Sequence, residues 1–301
     1  MLFRSDSFFV RFTASDSEGK ASADWPGFEQ VSSNGSWATT LSETHIVSPA
    51  ALNTVRIHFS RVVPSDTGTA PPPGPGITVV PGQSDPPEIS VTGLTAYGGG
   101  GFDTKPTHMI ANRFTYQDDV NYRVGNHGFQ FGGFVERLQL NSSKPNRGWG
   151  VWSFSSVTNL LISNPNQYRG AIPNYQAPGA PEAASYERGF RQWSYALYVQ
   201  DDWRIFDRLT VNLGVRWEPY TVPTEVNGRI ANLRYVTDTV TSIGDPYWKN
   251  KSWGDIGPRI GFAWSPFDSG NTSVRAGFGV LYAPNDPNTY YNQISRMPSS
   301  A

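Results

Sequence analysis

Residues 209–218 read LTVNLGVRWE. Leu209, Val211, Leu213, Val215 and Trp217 share one parity, and Thr210, Asn212, Gly214, Arg216 and Glu218 share the other. Successive side chains of a strand point to opposite faces, so this stretch predicts a ribbon with one wholly apolar face. The pattern returns nearby in Trp193, Tyr195, Leu197 and Val199, in Pro258, Ile260, Phe262 and Trp264, and in Val274, Ala276, Phe278, Val280 and Tyr282. The connections between these segments are unequal: 204–208 and 267–272 are short, whereas 219–255 is long and rich in Tyr, Trp, Asn and Pro. Short turns at one end of a sheet and long loops at the other are what a transmembrane β-barrel presents.

The rest of the chain repeats this plan. Phe8, Val10 and Phe12 alternate with polar neighbours, 37–44 gives a weaker strand, and Val55, Ile57 and Phe59 mark the next. Residues 109–123 and 128–140 form a pair around Gly125 and Asn126, with Phe129, Phe131, Gly133 and Val135 on the apolar face. Long loops are expected at about 15–36, 61–107, 141–187 and 219–255. Inside the third, 148–154 predicts a short strand and 156–163 a turn or two of helix ending at Asn164 and Pro165. The fold expected is therefore all-β: an antiparallel meander of about nine long strands with long extracellular loops, one part of a large barrel of the type with about 22 strands.

Composition narrows the alternatives. Charged residues make up 16% of the chain, below the ~25% usual in soluble domains, and a net charge of -1 gives no basis for nucleic-acid binding. No apolar run approaches the ~18 residues of a membrane helix. The absence of cysteine excludes disulfides and thiolate metal sites. Lysine occurs at 20, 105, 144, 249 and 251, all within the expected loops, as befits strands with one face in lipid. The amino terminus alternates where a signal peptide needs a continuous apolar run, so Met1 is expected to fall inside a longer protein.

Chemistry-bearing motifs are sparse. Gln-Asp-Asp occurs at 117–119 and 200–202, just before short turns, where a periplasmic rim accounts for the carboxylates better than an acid–base pair does. His45, His58, His108 and His127 lack metal-ligand spacing, so neither metal nor cofactor is expected. The Gly-rich run 98–101 has no Gly-Lys-Ser/Thr beside it and does not read as a phosphate loop. Trp203, Tyr122 and Trp264 near the turns, and Trp217, Tyr220 and Tyr282 near the loops, suit two interfacial girdles. Arg56, Arg216, Glu218, Arg259 and Arg275 lie on the polar parity and are expected to face a wet lumen. Loop aromatics Trp149, Trp152, Tyr235, Tyr247, Trp248 and Trp253 are the expected ligand contacts, with Tyr168 and Tyr175 beside the first pair.

The segments YVQDDWRIFDRLTVNLGVRWEPY and GDPYWKNKSWGDIGPRIGFAWSPFDSGNTSVRAGFGVLY resemble the barrel of Oar-like TonB-dependent receptors, and FTYQDDVNYRVGNHGFQFGGFVERLQ and DSFFVRFTASDS resemble its earlier strands. The resemblance covers nearly the whole chain. It implies a non-enzymatic outer-membrane receptor of a Gram-negative bacterium, with outer-membrane lipid around its wall and outer loops that bind a bulky extracellular ligand of unknown identity. It also implies energy relayed by the TonB complex through an amino-terminal plug, which this sequence does not contain. Two other functions stay open: a barrel for adhesion without transport, and a soluble β-sandwich acting on glycans. The test is physical. Leu213, Phe262 and Phe278 must not be covered by a second layer of the same chain.

Overall fold

The computed structural model describes residues 5–22, 25–69, 87–98, 107–143, 150–170, 185, 187–239, 242–244, 250, 252–267 and 271–283. In chain order its elements are β1 (Asp6–Ser22), β2 (Glu29–Ser48), β3 (Ala51–Thr69), β4 (Glu88–Val91), β5 (Thr107–Val124), β6 (His127–Ser143) and β7 (Val151–Phe154). Then come α1 (Val157–Leu161), β8 (Gln167–Arg169), β9 (Glu187–Phe206), β10 (Leu209–Trp217), β11 (Thr224–Glu225), β12 (Ala231–Asn232), β13 (Ser242–Ile243), β14 (Ile256–Trp264) and β15 (Val274–Gly279). Nine of them form the wall as an antiparallel meander, β1-β2-β3-β5-β6-β9-β10-β14-β15, and β11 adds to β9 beyond the end of β10.

Register explains why the wall has two unlike faces. Partners across an antiparallel pair project to the same side, so Val215 aligns with Val199, Val199 with Phe131, and Phe131 with Val120. Toward β15, Leu213 aligns with Ile260, and Ile260 with Phe278. These side chains lie open: Leu213 is 41%, Phe262 38% and Phe278 68% exposed. The apolar row has no second protein layer over it among the described residues, as a lipid-facing row requires.

Tight reversals join the strands at one end. Residues 49–50, 125–126 and 207–208 link β2 to β3, β5 to β6 and β9 to β10. Gly125 takes φ +56°, the left-handed region a two-residue reversal calls for and glycine enters without penalty. One glycine serves close approach instead: a Cβ at Gly132 would stand 2.3 Å from the Asp118 carbonyl oxygen.

The strands run further than alternation suggests. β1 and β2 continue to Ser22 and from Glu29, so their connection is 23–28 rather than 15–36; β3 and β5 leave 70–106 between them, and β6 and β9 leave 144–186. Crossing the hydrocarbon takes about 9–11 tilted residues, while β2, β3 and β9 have 20, 19 and 20. The outer halves stand beyond the lipid, which there no longer selects apolar residues at every second place. Pairing continues there after the sequence signal has stopped.

Candidate functional site

The polar face of the wall carries a row of ionic groups, connected at its middle. Asp119 on β5 is its centre: one carboxylate oxygen accepts the Tyr198 hydroxyl of β9 at 2.6 Å, and the other accepts Gln117 Nε2 at 2.7 Å. Arg56 of β3 places Nη1 3.6 Å from the same Asp119 carboxylate. Arg216 pairs with Glu218 at 2.7 Å, and its guanidinium lies 5.7 Å from the ring centres of both Phe134 and Tyr198. Further out Glu136 receives Thr115 at 3.2 Å and sits 3.6 Å from Arg113. Toward the turns Asp202 accepts Asn212 Nδ2 at 2.7 Å and Gln200 Nε2 at 3.1 Å.

Five expected lumen residues thus divide. Arg56, Arg216 and Glu218 join the network; Arg259 and Arg275 share the polar parity, with Arg275 Nε donating to Ser273 and Arg259 in no ion pair among the described residues. The Gln-Asp-Asp triplets divide too. Asp119 and Asp202 point to the polar side, whereas Asp118 and Asp201 take the apolar parity, Asp118 accepting Asn53 Nδ2 and Asp201 meeting His127 Nδ1 at 2.7 Å. Neighbouring carboxylates on opposite faces cannot act as one acid–base pair. His45 Nδ1 contacts Asp6 and His58 Nδ1 contacts Thr40, and no group of three metal-ligating side chains occurs among the described residues.

At the loop end the polar face is roofed. Residues 219–225 continue beside β9 in line with β10, Tyr195 N donating to Pro219 O and Trp193 N to Thr221 Oγ1, and 226–230 then turn in over the polar face. Ile230, 2% exposed, packs on Leu140 and Phe190 beside Met109 and Ala111. Glu225 fixes this return, its carboxylate accepting the backbone N–H of Gly189, Asn227 and Arg229 at 2.7–2.8 Å. A buried carboxylate needs such donors. A small separate sheet joins two different loops, since β4 pairs in parallel with β7, which pairs with β8. Trp25 closes on it from the first reversal, edge-on to Tyr97 at 5.5 Å with Nε1 donating to Ala96 O.

Of the expected ligand contacts, Trp149, Tyr247 and Trp248, with Tyr175, lie outside the described residues. Trp152 meets the Tyr168 ring at 4.5 Å, and Trp253 meets Trp217 at 6.0 Å, its carbonyl accepting Trp217 Nε1. Tyr235 is exposed and joins neither pair. α1 follows its sequence signal, with Ser156 as N-cap accepting Asn159 N. Ile230 had no local signal, because its partners come from β6 and β9, and the sequence around Glu225 does not show that Gly189 of β9 is one of its donors.

Residues 1–301 match the family model of the outer membrane beta barrel domain, and the chain belongs to that family. It is a β-barrel chain of the outer membrane of a Gram-negative bacterium. Among solved structures it is similar to the ferric-catecholate import receptor Fiu of E. coli K12 in its open form, with a TM-score of 0.48 and 14% identity over 94% of this chain. The chain spans 45% of that receptor's length. No curated protein matches the sequence.

Proposed function

We propose that this chain is wall and outer loops of a TonB-dependent receptor that imports a bulky ligand, without catalysing a reaction. The observation that carries this reading is the contrast between an open apolar face and an opposite face holding a connected ionic network under a folded roof. An inert structural barrel has no use for a charged wall reaching from the turns to the roof; a wet conduit that must hold and release a plug and a polar cargo does. The resemblance of 200–213 and 258–282 to Oar-like receptors supports the TonB step. The edges of β1 and β15, without a strand partner among the described residues, support a larger barrel, of the kind with about 22 strands, because an open sheet edge is not tolerated in hydrocarbon. The separation of the paired aspartates onto opposite faces supports the non-enzymatic reading.

The experiment compares loss of medium components from cultures carrying the complete receptor, the receptor deletion and a TonB deletion, by mass spectrometry of the supernatant. A compound class depleted only when both receptor and TonB are present is the expected outcome. Surface binding that survives TonB deletion, with no depletion, would transfer the protein to adhesion. On the depleted compound, Trp152→Ala with Trp253→Ala is expected to weaken uptake about tenfold, the value of one or two lost aromatic contacts; unchanged uptake would remove these loops from the binding surface.

A further inference from the structure

The apolar face changes chemistry along one line of register. On β3 the run Val55, Ile57, Phe59 gives way to Arg61; on β5 Phe114 gives way to Asn112; on β6 Val135 gives way to Arg137; on β9 Trp193 gives way to Arg191. Arg61 aligns with Asn112, Asn112 with Gln139, and Gln139 with Arg191, while Arg137 aligns with Trp193 one step closer to the turns. Three guanidinium groups therefore sit on the membrane side of four adjacent strands. Arg61 and Arg137 lie ten residues above the turn ends of their strands, about the length that crosses the hydrocarbon, and so at the headgroups of the outer leaflet, whereas Arg191, in register with Gln139, lies fifteen above the turn end of β9 and reaches further out.

These arginines differ from those of the polar face, where Arg56, Arg113 and Arg216 each have a carboxylate. Among the described residues Arg61, Arg137 and Arg191 make no ion pair. Arg191 donates to Asn141 Oδ1 and Phe190 O, and Arg137 lies 4.8 Å from the centre of the Trp193 ring. Glu225 is near enough for Arg191 to feel its charge, but both its oxygens are taken by backbone N–H groups. Arg137 Nε and Asn112 Oδ1 are buried and lack a hydrogen-bond partner, a costly state for polar atoms that await none. Below this belt the same face holds a depression of about 880 Å³, floored by Gly132 and Gly133 and walled by Ile57, Tyr116, Val135 and Leu197.

We propose that the arginine belt and the depression beneath it form a binding site for a phosphorylated glycolipid of the outer leaflet, its phosphates on Arg61, Arg137 and Arg191 and an acyl chain in the depression. Arg61 and Arg191 are three strand spacings apart, about 14 Å, a span that suits two phosphates on a disaccharide headgroup better than one. The planar guanidinium is the side chain that meets phosphate through two parallel hydrogen bonds. The site is independent of transport.

The test uses the complete protein extracted from outer membranes in mild detergent, with bound lipid counted by native mass spectrometry after exposure to bisphosphorylated lipid A, dephosphorylated lipid A or phosphatidylethanolamine. Wild-type protein is expected to retain the bisphosphorylated form at least about tenfold better than the other two, the effect of one or two charge-assisted hydrogen bonds. Combined Arg61→Gln, Arg137→Gln and Arg191→Gln substitution should abolish the preference, and the three lysine substitutions should restore part of it. Equal retention of dephosphorylated lipid A or phosphatidylethanolamine by wild-type protein, or an undiminished preference in the glutamine variant, would overturn the site. Should the triple variant lose its heat-modifiable mobility, Arg61→Gln alone decides: the Arg61 side chain makes no hydrogen bond among the described residues, so an unchanged preference in that variant counts against the proposal.

Discussion

Asp119 gathers groups from three strands, Arg56 of β3, Gln117 of its own β5 and Tyr198 of β9, so its charge fastens the middle of the wall on the polar side. Its side chain is 17% exposed, and removing it strands donors with little water to replace it. Asp119→Ala is expected to lower stability by about 1–3 kcal/mol, read from the denaturant midpoint of the complete barrel in detergent, with Asp119→Asn losing less. Loss of stability no greater than that of an exposed alanine substitution would deny Asp119 this role. In the β7–β8 hairpin, burial pushes the Tyr168 phenol above its ordinary value of 10.0. The neutral form is the one the packed hairpin prefers, so the stability Tyr168 lends is whole below pH 10 and drains away as pH climbs past it. Protease cleavage within 150–170 should accelerate over that alkaline range in wild-type protein and not in Tyr168→Phe.

Between β5 and β6 the strands approach most closely at glycine. A methyl group at Gly132 would meet the Asp118 carbonyl oxygen at 2.3 Å, whereas one at Gly214 would find its nearest atom, the Val199 carbonyl oxygen, at 3.4 Å. Gly132→Val is therefore expected to abolish the heat-modifiable band of the assembled barrel while Gly214→Ala retains it; a folded Gly132→Val protein would mean that β5 and β6 can part without harm. At this scale the sequence is legible wherever lipid imposes a parity: Leu209 to Trp217 and Val55 to Phe59 announce their strands, and Gly125 its reversal. Beyond the hydrocarbon the reading fades. β1 from Ala14 to Ser22 alternates nothing apolar yet pairs in register with β2 as far as Glu29. The parallel alignment of Glu88–Val91 with Val151–Phe154 joins residues some sixty positions apart, and no local pattern encodes it. Parity alone assigns the arginines of the polar face to that face, but not their partners, since Tyr198 reaches Asp119 across 79 positions.

Taken whole, the molecule is a lopsided sheet, open in its greasy face and at the margins of β1 and β15. In water those margins invite pairing with other copies, and the bare face adds to the drive. Expressed without detergent or membrane, this chain is expected to sediment as aggregate, and a monodisperse species melting cooperatively in buffer would contradict the membrane assignment of its apolar row. The β4–β7 alignment has a different kind of consequence. Because it stitches together two outer loops that belong to separate hairpins, a single protease nick in either would leave both ends tethered and the cell surface outwardly intact. Excising the four residues of either strand would take away the other's partner as well, so a change to one of these outer segments is felt in both.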